Sequence, residues 1–177
     1  MSNFPAALSA SKATCGCPSG PARFLQVTGS QLDDALAGLA FLKTVPSVDP
    51  KRIAIVGHSF GGMLTLLSVE HDSDILAEVS FAAGAKSWHA SQELRQRIPA
   101  SVDKTAAPIM LVHAANDFDT TSSTDIAAEL DRLHKRHLLK IYPAVGKTSE
   151  DGHNLLYLAT PEWEPDVFQF LEANLKR

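Results

Sequence analysis

Residues 52–68 constrain the fold of this chain more than any other stretch. Arg52-Ile53-Ala54-Ile55-Val56-Gly57 is a short, continuous apolar run, the length and character of a strand buried on both faces of a parallel sheet. It leads at once into Gly57-His58-Ser59-Phe60-Gly61-Gly62, after which Leu64, Leu67 and Ser68 continue as a helix. A turn this tight lifts the serine hydroxyl above the sheet and holds its residue in a sparsely populated backbone conformation, while the flanking glycines leave room for neighbouring backbone. The helix that follows points its N-terminus at the hydroxyl, so the amide of Phe60 can stabilise a developing oxyanion. A bare Gly-x-Ser-x-Gly can arise by chance in a glycine-rich turn; strand before and helix after supply the context that the motif requires.

The rest of the chain repeats the alternation. Leu32, Ala35, Leu36, Leu39 and Leu42 recur at helical spacing behind Ser30, a candidate cap, with Asp33 and Asp34 in the first turn and Pro46 beyond the end. Strands are predicted over Ala77–Ala82, Pro108–His113 and Leu138–Tyr142, with helices over Ser123–His137 and around Val167, Phe170, Leu171 and Leu175. Phe24, Leu25 and Val27 suggest a further short strand over Arg23–Thr28. Strands alternating with helices imply parallel βαβ units and an α/β fold class. Residues 1–22, rich in Ala, Ser, Gly and Pro, read as a flexible arm ahead of a single domain over 23–177.

Composition excludes several functions. With 45% hydrophobic and 20% charged residues and a net charge of −4, the chain resembles ordinary globular proteins and carries no basic surplus for nucleic acid or anionic lipid. No apolar run approaches the roughly 20 residues that span a bilayer, and no signal peptide is visible, so a cytoplasmic location is the default expectation. Cys15 and Cys17 are too close for an unstrained mutual disulfide, and two sulfurs alone do not make a zinc site. Neither a metal nor a cofactor is expected.

A serine hydroxyl is a weak nucleophile unless a base takes its proton and a third group orients that base. On turns of this kind the chain order is serine, acid, histidine. Asp117 lies just past the strand ending at His113, at the carboxyl end where α/β sites are built. Asp119 is its rival, although Asp119 or Ser122 can instead cap the next helix. His153, in the polar stretch Glu150-Asp151-Gly152-His153-Asn154, completes the order. The other histidines have simpler readings. His58 is the variable position of the turn, His71 ends a helix and His113 belongs to the core. His134 and His137 lie near a helix C-terminus, i, i+3 neighbours without a third metal ligand. Trp88 and His89, after the Ala77–Ala82 strand, are read as pocket lining.

These motifs carry a resemblance. Val48-Asp49-Pro50-Lys51-Arg52-Ile53-Ala54-Ile55-Val56-Gly57-His58-Ser59-Phe60-Gly61-Gly62 resembles the nucleophile region of dienelactone hydrolase-like and prolyl oligopeptidase-like α/β-hydrolases. His113-Ala114-Ala115-Asn116-Asp117 is similar to the family's His-Gly-x-x-Asp, and Tyr142-Pro143 followed by Asp151-Gly152-His153 to its histidine loop. The likeness runs from about Gln31 to the C-terminus, with the three motifs in family order. It implies a reduced α/β-hydrolase fold, with a mostly parallel sheet of about four to five strands flanked by helices. It also implies Ser59 as nucleophile, His153 as base and Asp117 as acid, acting on a small ester through an acyl-enzyme. Dienelactone hydrolases proper carry a cysteine nucleophile, so Ser59 points to ordinary ester cleavage. With no segment long enough for a lid, short-acyl esters are the expected substrates. A non-catalytic binding or assembly module is the main alternative. A peptidase or acyltransferase on the same residues ranks below the esterase, since peptidases of this kind usually carry a large gating domain.

The family has several strands ahead of the helix at Gln31, among them the His-Gly-Gly-type loop that gives a second oxyanion amide. No such motif occurs here. Losing one donor costs about 10²–10³ in turnover, so a modest enzyme is expected unless the arm or a partner supplies an amide. The strand ending at Gly57 is left with an open apolar edge, which invites pairing. Either Arg23–Thr28 covers that edge or a homodimer forms along Ile53–Val56. Gel filtration with light scattering checks the second case: the mass of two chains is expected, and a strict monomer with a disordered arm would exclude both.

Overall fold

The apolar segments of the chain form four strands, β1 (Ile53–His58), β2 (Ile75–Phe81), β3 (Ile109–Ala114) and β4 (His137–Tyr142). The computed structural model describes the backbone of residues 21–176 and the side chains of residues 29–176. Cys15, Cys17 and the part of the expected arm before Pro21 lie outside the described residues. The strands pair in parallel, in the order β1-β2-β3-β4. Each chain return therefore crosses the sheet through helices, and every strand delivers its carboxyl end to the same side.

Helices α1 (Pro21–Leu42), α2 (Phe60–Ser68), α3 (Gln92–Val102) and α4 (Thr121–Arg132) lie on one side. Helices α6 (Leu155–Leu158) and α7 (Thr160–Leu175) lie on the other, after the short α5 (Ser149–His153). β2 and β3 are buried along their whole length, as strands covered on both faces must be. Alternation on β3 divides the core. Ile109 and Leu111 join Leu66, Leu67, Ile98, Ile126 and Leu130 beneath α2, α3 and α4. Met110 and Val112 join Val79, Phe81, Leu155 and Val167 beneath α6 and α7. Truncating one of these fully buried leucines to alanine typically costs about 2–5 kcal/mol.

Three sequence expectations are corrected. Arg23–Thr28 is not a strand but part of α1 (Pro21–Leu42). Ser30 therefore lies inside the helix and not at its start. A short apolar triplet has no decisive period, and extending a helix adds a backbone bond per residue without needing an external partner. Among the described strands, β1 consequently pairs with β2 alone, and Val56 on it is 48% exposed.

The helix expected to reach His137 ends at Arg132. The His134 amide donates to the Asp131 carbonyl and the Lys135 amide to the Leu130 carbonyl, with His134 at φ 53°. This is a Schellman ending with histidine in the place usually taken by glycine, so no glycine announces it in the sequence.

One buried charge-bearing residue is unaccounted for by packing. Glu78, in the middle of β2, is fully buried. Its Oε1 accepts a hydrogen bond from Thr105 Oγ1 at 3.4 Å, and its Oε2 has no partner among the described residues. Burial holds the carboxyl proton well above the ordinary range, against the weaker opposing pull of Thr105. A group that binds its proton more tightly when folded contributes stability that is complete below about pH 4.3 and is lost as pH rises toward the native pKa. Glu78→Gln is thus expected to match the wild type in urea near pH 4 and to exceed it near pH 8. A difference that does not change with pH would contradict this.

Candidate active site

At the carboxyl end of β1 the chain turns through Ser59, at φ 55° and ψ −113°, a conformation that costs a non-glycine residue about 1–3 kcal/mol. Surrounding contacts hold it there. The Ser59 amide donates to the Phe81 carbonyl at 2.8 Å, and its carbonyl accepts from the Met63 amide at 3.2 Å. A Cβ on Gly57 would strike the Gly61 carbonyl, and one on Gly62 would lie 2.8 Å from the Phe81 oxygen. Glycine at these two positions is what allows the strand and helix to approach. Phe60 opens α2, where a backbone amide points forward from the helix start.

β3 delivers the second group. Asp117 follows it within three residues, its amide donating to the Ala114 carbonyl, and its side chain is fully buried. The third group comes after β4. His153 was expected in a loop but is the last residue of α5, a single helical turn. Thr148 Oγ1 accepts from the Asp151 amide at 3.1 Å, and the Asp151 carboxylate accepts from the amides of Lys147 and Thr148, each at 2.9 Å. This reciprocal capping box turns the chain so that the imidazole enters the site.

The three side chains meet. His153 Nε2 lies 2.9 Å from Ser59 Oγ, and His153 Nδ1 lies 2.9 Å from Asp117 Oδ1. Burial pushes the Asp117 carboxyl up, but hydrogen bonds from His113 and His153 outweigh it and hold the pKa at about 2. An ionised carboxylate only accepts, so His153 carries its proton on Nδ1 and offers the Nε2 lone pair to the serine hydroxyl. The arrangement can remove a proton from Ser59 while the resulting imidazolium faces a fixed negative charge.

Several side chains that sequence reasoning did not assign to the site shape it. Asn116 Nδ2 donates to the carbonyls of Val145 and Thr148, each at 2.8 Å, and its Oδ1 accepts from the Val145 amide at 2.9 Å. Gly152 packs so closely on Asn116 that a Cβ would lie 2.6 Å from its backbone carbon. The residues just before Asp117 and just before His153 are thus locked together. His58 Nε2, expected to be incidental, donates to the His153 carbonyl at 2.7 Å. Burial lowers its pKa, so it remains a neutral donor near pH 7. Its ring also meets Tyr157 edge-on at 5.4 Å, and Phe118 meets the His153 ring at 5.6 Å. His113 is buried as expected of a core residue, and its Nδ1 lies 3.0 Å from Asp117 Oδ2. Long-range contacts of this kind leave no local period in the sequence.

The other candidates lie elsewhere. Asp119 accepts from the Thr121 amide at 2.9 Å and pairs with His89 at 3.0 Å, separate from the contact between Asp117 and His153. His89 is largely exposed. Trp88 is buried in the core among the residues around α2 and α4, its indole N–H donating to Asp125 at 2.7 Å. Among the described residues, no group of three or more His, Cys, Asp or Glu side chains is arranged to hold a metal, and no helix is long and apolar enough to cross a membrane.

A parallel sheet flanked by helices, with a strained serine, a buried carboxylate and an imidazole gathered at its carboxyl edge, defines the class as α/β-hydrolase. The dienelactone hydrolase family model matches residues 22–149, and the chain belongs to that family. The match includes Ser59 and Asp117 and stops short of His153. The quorum-quenching protein AidA of Acinetobacter baumannii is 35% identical over 65 residues, covering 37% of this chain and 21% of that protein. Among solved structures, the Pyrococcus horikoshii acylaminoacyl peptidase superposes with a TM-score of 0.68 at 18% identity, over 88% of this chain and 30% of the peptidase. A Pyrococcus furiosus esterase gives 0.66 at 16% identity, over 84% of this chain and 63% of the esterase. At such identities the structural likeness speaks for the fold alone. The chain spans less than a third of the length of AidA or of the peptidase.

Asn116→Ala removes three hydrogen bonds between the loop that carries Asp117 and the segment leading to His153. The variant is expected to lose about 1–3 kcal/mol of stability in urea; an unchanged midpoint would show that the bracket does not hold the loops.

Proposed function

We propose that the protein is a serine carboxylic ester hydrolase that acts on small, short-acyl esters through an acyl-enzyme. The observation that carries this reading is the 2.9 Å contact between Ser59 Oγ and His153 Nε2, backed by the buried, ionised Asp117. Ser59 Oγ attacks the ester carbonyl as His153 Nε2 takes its proton. The tetrahedral intermediate collapses, His153 returns the proton to the departing alcohol, and the acyl group stays on Ser59. Water, deprotonated by the same nitrogen, then attacks the acyl carbon; the bond to Ser59 Oγ breaks, the acid leaves, and His153 returns the proton to Oγ. Asp117 keeps the imidazole oriented and balances its transient charge, and the amide of Phe60 receives the oxyanion.

A small ester suits the surroundings of the histidine. Phe118 and Tyr157, which flank His153 and His58, are 44% and 67% exposed, offering open aromatic faces to a short acyl or alkyl group. His89 belongs to the proposal as a rim residue. A second copy along the outer edge of β1 belongs to it as well, because Val56 is half exposed there.

The test is hydrolysis of p-nitrophenyl acetate and butyrate, with labelling by a fluorophosphonate probe. Ser59→Ala is expected to lower turnover at least about 10³-fold and to abolish labelling. Wild-type turnover no faster than that of the variant, without labelling, would favour a non-catalytic binding module.

A further inference from the structure

We propose that His113 is a positioning residue of this site, whose imidazole holds one oxygen of Asp117 so that the other stays turned to His153. The inference rests on the esterase reading for its kinetic part and on the geometry alone for the rest.

Asp117 divides its oxygens between two imidazoles. Oδ1 accepts from His153 Nδ1 at 2.9 Å and from the Phe118 amide at 2.7 Å. Oδ2 lies 3.0 Å from His113 Nδ1. The side chains of His113 and Asp117 are both fully buried, so no solvent competes for these contacts and each is worth more than it would be in water. A carboxylate has two lone-pair directions on each oxygen and a free torsion about its Cβ–Cγ bond. Bonds to one oxygen alone permit rocking about that torsion. A donor on the second oxygen, fixed on a different element, removes the rocking. His113 is such a donor, because it belongs to β3, one of the two inner strands of the sheet.

The protonation of His113 follows from the same contacts. The ionised Asp117 only accepts, so His113 Nδ1 carries hydrogen. His113 Nε2 is buried with no hydrogen-bond partner among the described residues. A proton there would leave an unpaired N–H in the core, which costs more than an unpaired lone pair on an uncharged ring. His113 therefore carries one proton, on Nδ1. A histidine that merely filled core volume would have no reason to choose that nitrogen.

The experiment combines histidine ¹⁵N spectra of the whole protein with p-nitrophenyl acetate kinetics on the wild type, His113→Asn and His113→Leu. Asparagine can place an N–H close to the position of Nδ1; leucine cannot. The expected spectrum shows His113 neutral and protonated on Nδ1. The expected kinetics show His113→Leu lowering kcat about 10–100-fold with KM within about twofold. His113→Asn is expected to recover to within about fivefold of the wild type. Protonation on Nε2, or a folded His113→Leu variant with wild-type kcat, overturns the proposal. If leucine prevents folding, the spectrum and His113→Asn decide. If the wild type is no faster than Ser59→Ala, the esterase reading fails, while the spectrum still judges His113.

Discussion

A carboxylate inside a protein survives as an ion only when donors replace the water it has lost. Asp117 meets that condition through His113, His153 and the Phe118 amide. These bonds bring together the end of β3, the start of the acid loop and the single turn of α5. The charge fixes the tautomer of His153, and that tautomer leaves Nε2 facing Ser59 with a lone pair. Without the charge, the imidazole has no reason to present that nitrogen.

The burial of Asp117 in turn depends on how the loops around it close. Asn116 spends both amide hydrogens and its oxygen on the segment between Val145 and Thr148. Gly152 brings α5 against Asn116, and Gly146 at φ 60° leaves the space that the Asp151 carboxyl occupies. The salt bridge from Lys86 to Glu150 at 2.9 Å is exposed and adds little by comparison. Bonds to backbone groups across about thirty residues of sequence thus hold the segment that leads to His153. Ser59 is held by a different device, a strained turn clamped between the Phe81 carbonyl and the first turn of α2.

Much of this was legible beforehand, unevenly. The elbow was the clearest part because its requirements are local: an apolar strand, glycines where backbones touch, and a helix directly after. The strands at Ile109–Ala114 and His137–Tyr142 fell within a residue or so of their expected places, the first because a fully buried strand is a continuous apolar run, while the second is only partly buried. Asp117 could be preferred over Asp119 by proximity to a strand end and by the fit of His113–Asp117 to the family's motif; in the structure Asp119 contacts Thr121 and His89 instead. His113 passed as a core residue because burial and hydrogen bonding to a distant carboxylate look identical in one dimension. Arg23–Thr28 was misread as a strand because three apolar residues carry too little periodicity to separate it from a helical turn.

By itself, the sequence determined the alternation of strand and helix and the sharp bend at Ser59, both of which rest on contacts between near neighbours. Only the tertiary structure decided that Arg23–Thr28 joins α1 and does not pair with the edge of β1, that α5 carries His153 into the site, and that two histidines share one carboxylate. Those outcomes depend on which surfaces exclude water from each other, and exclusion is a property of packed elements that no residue carries alone.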